Sequence, residues 1–529
     1  MPPVVIGFSA AAQSRSTDGP RRLPIRPVGA GPASRRTKAR NRKGRRFDMR
    51  FPLALSALFA AACASAPPPD LTEAPIVFQS RAGVEAEAFE GSILVPENRA
   101  DPQSRMIPLR YVRFPATGEA AGAPIVYLAG GPGGSGIATA KGRRHPLFMA
   151  MREFGDVIAL DQRGTGASDD TPRCVSSVRP PSYAERTNAA VAEAYRASIR
   201  ECAAFWEAEG VDVAGYTTAQ SVRDLEDLRR ALGAEKLVLW GTSYGSHLAL
   251  AAMKDMDGRI EKVVLSSAEG LDQTVKLPAR TDAYFDRLQA VADADPVGRT
   301  AFSDIQGLIL RVHDRLEAEP VLLTLARRDG SEETALLDRI AMRQLASGMI
   351  ADPHNAVALL NIYRALEAGV TGPVAEILGY FPSPNAPISW RPMPLAMDVA
   401  SGIGDERLAL VEQQAETALL GAYLNFPMPQ VRGELNGLDL GDRFRQAPKS
   451  RVPTLLLSGT LDGRTYTDGQ LEAVAGLSRL THVEVVNAGH NLFMSSPEVR
   501  AAIETFMRGE PLRTRTIKIP PPSFEGFAD

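Results

Sequence analysis

Hydrophobic residues fall in short continuous runs that alternate with longer amphipathic stretches. Apolar runs of this length, bounded by glycine and polar residues, predict buried strands over 124–129, 156–160 and 236–240 and a return of the sheet over 453–458. Residues 260–265 and 483–486 predict two further strands. The periodic stretches between and after them predict helices over 183–209, 218–232, 246–253, 467–477 and 497–508. This alternation predicts an α/β fold with a mostly parallel central sheet covered by helices on both faces.

The alternation stops after Ser267 and resumes near residue 450. In between, no strong strand pattern is visible, and periodic stretches with proline-rich joints predict helices over 281–292, 303–318, 336–350, 355–368 and 407–423. We therefore predict a large helical cap over 269–450, inserted into a core formed by 85–268 and 451–510 and followed by a tail over 511–529. Residues 88–95 and 106–114, joined by a polar turn, predict an opening hairpin.

The N-terminal region differs in composition from the rest of the chain. Residues 1–48 are rich in arginine, poor in acidic residues and without apolar periodicity. Met49-Arg50 then precedes an apolar stretch and small residues, a pattern typical of a secretory signal peptide over 49–63. That apolar stretch is too short to span a bilayer. We expect Met49 to be the true start and residues 1–48 to lie outside the mature protein.

The signal can end in two ways. Cys63 follows three alanines, which resembles a bacterial lipoprotein acylation site, although that pattern prefers a leucine three residues before the cysteine. Cleavage after Ala62 or Ala66 without lipidation is the alternative. Residues 64–84 are then expected to be a tether. The protein is expected to be exported by a bacterium, either to the periplasm or to a membrane as an anchored lipoprotein.

The charge of the chain limits its expected binding partners, and its cysteine content predicts a disulfide. The formal net charge of -2 conceals a basic N-terminal region, and the remainder of the chain is acidic, so nucleic acid is not an expected partner. Cys174 and Cys202 remain after the signal is removed. An exported chain with one cysteine pair favours a disulfide between them, and two buried thiols are the alternative.

The residues after the 236–240 run carry the first chemical signal. Gly241-Thr-Ser-Tyr-Gly245 stands between a predicted strand and a predicted helix, which is the context of a nucleophile elbow presenting Ser243. Glycine suits both ends because a Cβ atom would crowd such a tight turn. A plain glycine-serine turn is the alternative, since the pentapeptide alone arises often by chance.

Two further residues complete a triad in the order Ser…Asp…His. Asp462 follows the 453–458 run and His490 follows the 483–486 run, so all three side chains stand just after a strand. A serine hydroxyl needs a base to take its proton, and that base needs a third group to fix its tautomer. His247, one helical turn after Ser243, is expected to be packed under the sheet. The spacing of histidines and cysteines implies no metal, and no cofactor is implied.

Two loops after buried strands are also informative. Five glycines lie among residues 130–136, so this backbone approaches a neighbour closely, and in a hydrolase this loop supplies one N–H group of the oxyanion hole. A phosphate cradle is conceivable, but no Gly-Lys-Ser/Thr follows. Asp161 and Arg163 in the next loop are expected to be structural, holding loops together by charge-assisted hydrogen bonds.

Together these motifs resemble the α/β-hydrolase superfamily, and within it the proline iminopeptidase and tripeptidyl aminopeptidase branch. The resemblance spans about 85–509, with the cap matching least, and it implies a serine exopeptidase that removes N-terminal residues from short peptides. Carried over by position, Gly131 and Tyr244 would donate the oxyanion-hole N–H groups. Ala129 departs from the His-Gly-Gly-Pro of many relatives, but the hole uses backbone groups. The resemblance also implies carboxylates that hold the substrate amine, for which the candidates are Glu269, Asp272 and Asp398.

The sequence therefore predicts an exported serine hydrolase that cleaves N-terminal residues from short peptides through an acyl-enzyme on Ser243. A carboxylesterase acting on small esters is the alternative, because the same triad serves both reactions. A non-catalytic binding protein on the same scaffold is a remote alternative, since such proteins usually lose a triad member. The expected partner is a short peptide or small molecule, with a lipid anchor possible. The sequence does not specify an oligomeric state.

Overall fold

The computed structural model describes residues 67–119, 122–435 and 437–525. The proposed signal peptide, the acylation site at Cys63 and residues 1–48 lie outside this range. The strands in the described part of the chain are β1 (Leu71–Gln79), β2 (Glu85–Pro96), β3 (Met106–Phe114), β4 (Ile125–Leu128), β5 (Val157–Leu160), β6 (Cys174–Val175), β7 (Leu237–Ser243), β8 (Ile260–Ala268), β9 (Val321–Ala326), β10 (Glu332–Leu337), β11 (Ser389–Trp390), β12 (Thr454–Gly459), β13 (Leu480–Val486) and β14 (Thr516–Lys518).

Helices fill most of the space between the strands. In chain order they are α1 (Gly136–Lys141), α2 (His145–Met151), α3 (Asn188–Ala208), α4 (Thr218–Ala231), α5 (Tyr244–Asp255), α6 (Pro278–Ala294), α7 (Pro296–Ala301), α8 (Ile305–Ala318), α9 (Arg339–Met349), α10 (Pro353–Glu367), α11 (Gly372–Tyr380), α12 (Pro392–Ser401), α13 (Asp405–Ala415), α14 (Gly441–Arg445), α15 (Thr467–Ala473) and α16 (Pro497–Met507). None of the helices in the described ranges is long and apolar enough to cross a membrane.

One large sheet organises the core and confirms the predicted α/β-hydrolase fold class. Its strand order is β1-β2-β3-β5-β4-β7-β8-β12-β13-β14. The strands from β1 to β3, and the β3–β5 pair, are antiparallel, whereas the remaining neighbours are parallel. Every residue of β4, β5 and β12 is buried, because helices cover both faces of the sheet.

Both ends of the sheet extend further than the sequence predicted. Residues 64–84 were expected to be a tether, but β1 lies within them and pairs antiparallel with β2 over its whole length. The predicted tail over 511–529 contains β14, which pairs in parallel with β13. The tether prediction is wrong for 71–79 because an edge strand can be fixed by backbone hydrogen bonds on one side alone, while its side chains remain mostly exposed.

Between β8 and β12 the chain leaves the sheet and forms the cap. Helices α6 to α14 lie there, and many of them surround an apolar core of their own. The prediction of a cap without strands is wrong over 321–337, where β9 and β10 form an antiparallel hairpin. Successive residues of β9 alternate between exposed and buried positions, with Leu323 and Leu325 buried, which is typical of a strand with one face packed on a core.

A short ladder joins the cap to a segment of the core that a disulfide closes. The sulfurs of Cys174 and Cys202 are bonded, which links β6 to α3, and both cysteines are buried. Strand β6 also pairs with β11, which lies just before α12 of the cap. The Nε1 atom of Trp390 on β11 donates a hydrogen bond of 2.8 Å to the hydroxyl of Ser198 on α3. This part of the cap is therefore held against the segment that the disulfide closes.

Candidate active site

Ser243 stands at a strained turn between β7 and α5. Its φ angle is 53°, a value that residues other than glycine seldom adopt. A Cβ atom at Gly241 would lie 2.4 Å from the carbonyl oxygen of Gly245, and one at Gly245 would lie 1.9 Å from the carbonyl oxygen of Leu128. Both glycines of the predicted elbow are thus required by close backbone contacts, and the turn presents Ser243 at the end of its strand.

Asp462 and His490 meet at the same edge of the sheet. Asp462 follows β12 and His490 follows β13, and the Nδ1 atom of the histidine lies 3.1 Å from each carboxylate oxygen. When Nδ1–H donates to the carboxylate, Nε2 is left as a proton acceptor on the opposite side of the ring. The geometry therefore holds the tautomer that a general base requires.

Several other donors surround the Asp462 carboxylate. The backbone N–H groups of Arg464 and Thr465 each donate a hydrogen bond of 2.8 Å, and the Thr465 hydroxyl donates one of 2.7 Å. Burial raises the pKa of Asp462, but the charge of His490 and these hydrogen bonds outweigh it, so the net pKa lies below its usual range. Asp462 remains ionised although it is only 1 % exposed.

The serine and the histidine are brought to one edge of the sheet by neighbouring strands. Ser243 pairs in register with Ala268 on β8, and the hydroxyl of the adjacent Ser267 donates a hydrogen bond of 2.7 Å to the carbonyl oxygen of His490. Among the described residues, no direct hydrogen bond joins the Ser243 hydroxyl to His490. In hydrolases without substrate this contact is often long, and it tightens when substrate binds.

The glycine-rich loop lies against the serine. A Cβ atom at Gly130 would lie 2.9 Å from the Cβ atom of Ser243, and Gly131 has a φ angle of 126°, which favours glycine. Tyr244 is the first residue of α5, so its backbone N–H has no partner within that helix. The N–H groups of Gly131 and Tyr244 thus belong to the two segments that flank the serine.

The polar residues predicted to be structural have that role. His247 is fully buried, with Nδ1 3.1 Å from the carbonyl oxygen of Gly270 and Nε2 3.1 Å from the hydroxyl of Ser401. The guanidinium of Arg163 is also fully buried, and it donates two hydrogen bonds to the carboxylate of Asp224. These side chains connect loops and helices rather than facing the triad.

Glu269 lies near the elbow but already has a cationic partner. Its backbone N–H donates to the hydroxyl of Ser246 on the elbow helix, and its carboxylate accepts a hydrogen bond of 2.5 Å from the Lys276 ammonium. Burial raises the pKa of Glu269, but the charge of Lys276 outweighs it, and the net pKa is lowered. Asp272, another candidate for holding an amine, accepts a hydrogen bond from the backbone N–H of Gly404.

Asp398 differs from these carboxylates because it lacks a partner. It lies one helical turn after Pro394, whose Cγ atom would be 2.8 Å from a Cβ atom at Gly133 of the glycine-rich loop. No hydrogen-bond donor among the described residues contacts its partly buried carboxylate. Burial and the charge of Glu269 raise the pKa of Asp398 to about 7, against the opposing charges of Lys276 and Arg464. Helix α12 thus carries a carboxylate that accepts no hydrogen bond from the described residues and lies close enough to Glu269 and to Tyr244 of the elbow helix to interact with them electrostatically.

Sequence reasoning missed three residues of this site. Thr465 lies 3.2 Å from Nδ1 of His490 as well as bonding to Asp462, while Ser267 holds the histidine backbone and Lys276 neutralises Glu269. A signal existed only for the Asp462 loop, because an aspartate side chain often accepts hydrogen bonds from backbone N–H groups shortly after it in the chain. No group of histidine, cysteine and acidic side chains within the described residues could hold a metal ion.

Comparison with known proteins agrees with this architecture. Residues 123–333 match a family model described as alpha/beta hydrolase fold. The serine protease Hip1 of Mycobacterium tuberculosis is 28% identical over 187 residues, which cover 34% of this chain and 36% of that protein. The tripeptidyl aminopeptidase of Streptomyces lividans is 28% identical over 255 residues, which cover 44% of this chain and 46% of that protein.

A third relative is the probable proline iminopeptidase of Streptomyces coelicolor, which is 30% identical over 171 residues that cover 32% of this chain and 41% of that protein. The matched parts span from about a third to just under half of the length of these relatives. The likeness therefore concerns part of each protein, and the matching family model lies over the first part of the core and the start of the cap.

Proposed function

We propose that this chain, which belongs to the α/β-hydrolase superfamily, is an exported serine peptidase that removes N-terminal residues from short peptides. The observation that carries the proposal is the Asp462–His490 pair, held at the sheet edge where the strained turn presents Ser243. The similarity to a serine protease, an aminopeptidase and a probable iminopeptidase supports peptide bonds as the substrate.

The reaction would proceed through an acyl-enzyme on Ser243. His490 takes the hydroxyl proton through Nε2 as the serine oxygen attacks the scissile carbonyl, and ionised Asp462 stabilises the imidazolium that forms. The backbone N–H groups of Gly131 and Tyr244 would donate to the oxyanion, with the N-terminus of α5 favouring its negative charge. His490 then returns the proton to the leaving amine. In the second half of the reaction water attacks the acyl group with His490 again as the base, and His490 returns the proton to Ser243 as the acyl group leaves.

Asp398 is the residue that we propose to bind the free N-terminus. A peptide's α-ammonium is a cation, and a cation taken out of water needs a partner of opposite charge. Glu269 is neutralised by Lys276, which leaves Asp398 as the carboxylate without a partner. The raised pKa supports the same role, because a carboxyl group that is costly to ionise alone gains most from an incoming positive charge.

Export is supported by the residues outside the catalytic centre. The basic, apolar and small-residue segments of 49–63 follow the order of a secretory signal. The Cys174–Cys202 disulfide suits an oxidising compartment outside the cytoplasm. Cys63 would carry a lipid anchor if it is acylated, whereas cleavage after Ala62 without acylation would leave it unmodified and cleavage after Ala66 would remove it.

The test compares matched substrates for the same enzyme. We expect N-acetylation of a good peptide substrate to lower kcat/KM by roughly 10², because the blocked peptide has no ammonium group to pair with the carboxylate of Asp398. Asp398→Asn should remove most of this difference while sparing a neutral short-chain ester, and Asp405→Asn at an exposed cap position is the matched control. Equal rates on free and acetylated peptides, or rapid turnover of esters alone, would identify a carboxylesterase instead.

A further inference from the structure

A turn of the cap contacts the loops of both the catalytic acid and the catalytic base. This cap turn, residues 350–353, joins α9 to α10 and belongs to the helical insertion. The carbonyl oxygen of Ala351 accepts a hydrogen bond of 2.8 Å from the backbone N–H of His490. The backbone of the histidine is therefore held by the cap at its N–H group and by Ser267 of the core at its carbonyl oxygen.

The cap turn packs closely against two glycines, one beside each of the catalytic acid and base. A Cβ atom at Gly489, next to the histidine, would lie 2.5 Å from Cδ of Pro353 and 2.7 Å from the carbonyl oxygen of Ala351. A Cβ atom at Gly463, next to Asp462, would lie 2.2 Å from the carbonyl oxygen of Ile350. Neither glycine has its φ angle in the left-handed region, so neither is required by its own backbone conformation.

The cap turn is itself held in place. The carboxylate of Asp352 caps α10 by accepting hydrogen bonds from the backbone N–H groups of His354 and Asn355. Ile350 is fully buried among the apolar residues of the cap. A displacement of the cap core would thus be transmitted to the backbone of the triad loops, because the contacts are backbone to backbone and leave little room for adjustment.

We propose that the cap turn is a positioning element for the catalytic acid and base, so that the triad is assembled only when the cap is seated on the core. The inference rests on the proposed function, since it assigns a role relative to the triad. Asp462 and His490 reach the sheet edge through loops after β12 and β13, and the cap turn sets the separation of these loops from outside the sheet. The cap would then govern turnover as well as substrate access.

The test adds one methyl group at each contact. Gly489→Ala and Gly463→Ala should each lower kcat by roughly tenfold to a hundredfold, with KM changed less than about twofold, because a misplacement of about 1 Å costs that much in rate. Gly372→Ala in the cap and Gly258→Ala in the core are matched controls, since a Cβ atom at either meets nothing within 4 Å. Replacing Pro353 by alanine in the Gly489→Ala variant should restore part of the lost kcat, which a general loss of stability would not allow.

A second variant, Asp352→Ala, tests the same role if the glycine variants do not fold. Asp352→Ala removes the cap of α10 without adding an atom near the triad, and it should lower kcat several-fold at unchanged KM. Wild-type rates in Asp352→Ala and in folded glycine variants would overturn the positioning role. If the wild-type enzyme shows no activity that depends on Ser243, the proposed function fails instead, so the two failures are distinguishable.

Discussion

The carboxylates of Asp462 and Asp398 lie in contrasting surroundings. Asp462 is the more deeply buried, yet its pKa is lowered, because the effect of burial is outweighed by His490, Thr465 and two backbone N–H groups that all donate to it. In Asp398, burial and the charge of Glu269 raise the pKa to about 7, and no donor within the described residues hydrogen-bonds to its carboxylate. Partners, rather than depth, decide which of the two is charged before substrate binds.

The difference separates two kinds of site. A carboxylate whose partners are all supplied by the chain is prepared for one fixed role, here the orientation of a base. A carboxylate that lacks a partner is costly to ionise until a cation arrives from outside the chain. The core of the molecule supplies the first kind at the ends of its strands, whereas the cap supplies the second kind on α12.

The largest effect is expected from a substitution of Asp462, the carboxylate whose partners all belong to the chain. Asp462→Asn should lower kcat by roughly 10⁴, because an amide favours the wrong tautomer of His490 and cannot stabilise the imidazolium. The measurement is steady-state turnover of a free peptide and of an ester, and both should fall together. Asp468→Asn, an exposed position on α15, is the matched control. A loss of less than tenfold would show that Asp462 does not orient the base.

A smaller effect is expected from Asp398, the carboxylate to which no described residue donates a hydrogen bond. Asp398 keeps its proton up to a pH of about 7 in the folded chain, but an unfolded aspartate loses it above about pH 4. Unfolding therefore releases a proton between these values, and the stability that this group contributes falls as the pH rises. The amide of the Asp398→Asn variant does not titrate. The difference between its free energy of unfolding and that of the wild type should therefore change in favour of the variant by about 1 kcal/mol per pH unit over this window.

Thermal unfolding of both proteins at pH 5, 6, 7 and 8 checks this expectation. The gap between the Tm of Asp398→Asn and that of the wild type should grow up to pH 7 and then level off. A gap that stays constant across the series would mean that the carboxyl group of Asp398 has an ordinary pKa.

Much of the core could be predicted from the sequence. The central strands β4, β5, β7 and β12 contain continuous apolar runs, a pattern that burial on both faces imposes, whereas β13 is only partly buried. Ser243, Asp462 and His490 could be found because each stands just after a predicted strand. The Cys174–Cys202 pairing followed from the count of cysteines in a chain that the sequence predicts to be exported.

The rest depended on contacts between distant parts of the chain. The strands at the sheet edges, β1 and β14, are fixed by backbone pairing on one side and leave little hydrophobic pattern. The pairing of Glu269 with Lys276 follows from the path of the chain as it enters the cap, and residue types alone do not specify it. The contact of the cap turn with Gly463 and Gly489 involves backbone atoms, which the sequence does not encode locally.

The central claim is that Ser243 is the nucleophile activated by this pair. The most direct measurement is reaction of the folded protein with a fluorophosphonate probe, followed by mass spectrometry of its peptides. We expect a single adduct on Ser243, formed much more slowly in Asp462→Asn and absent in Ser243→Ala. An adduct on another serine, or equal labelling of the wild type and Ser243→Ala, would contradict the account.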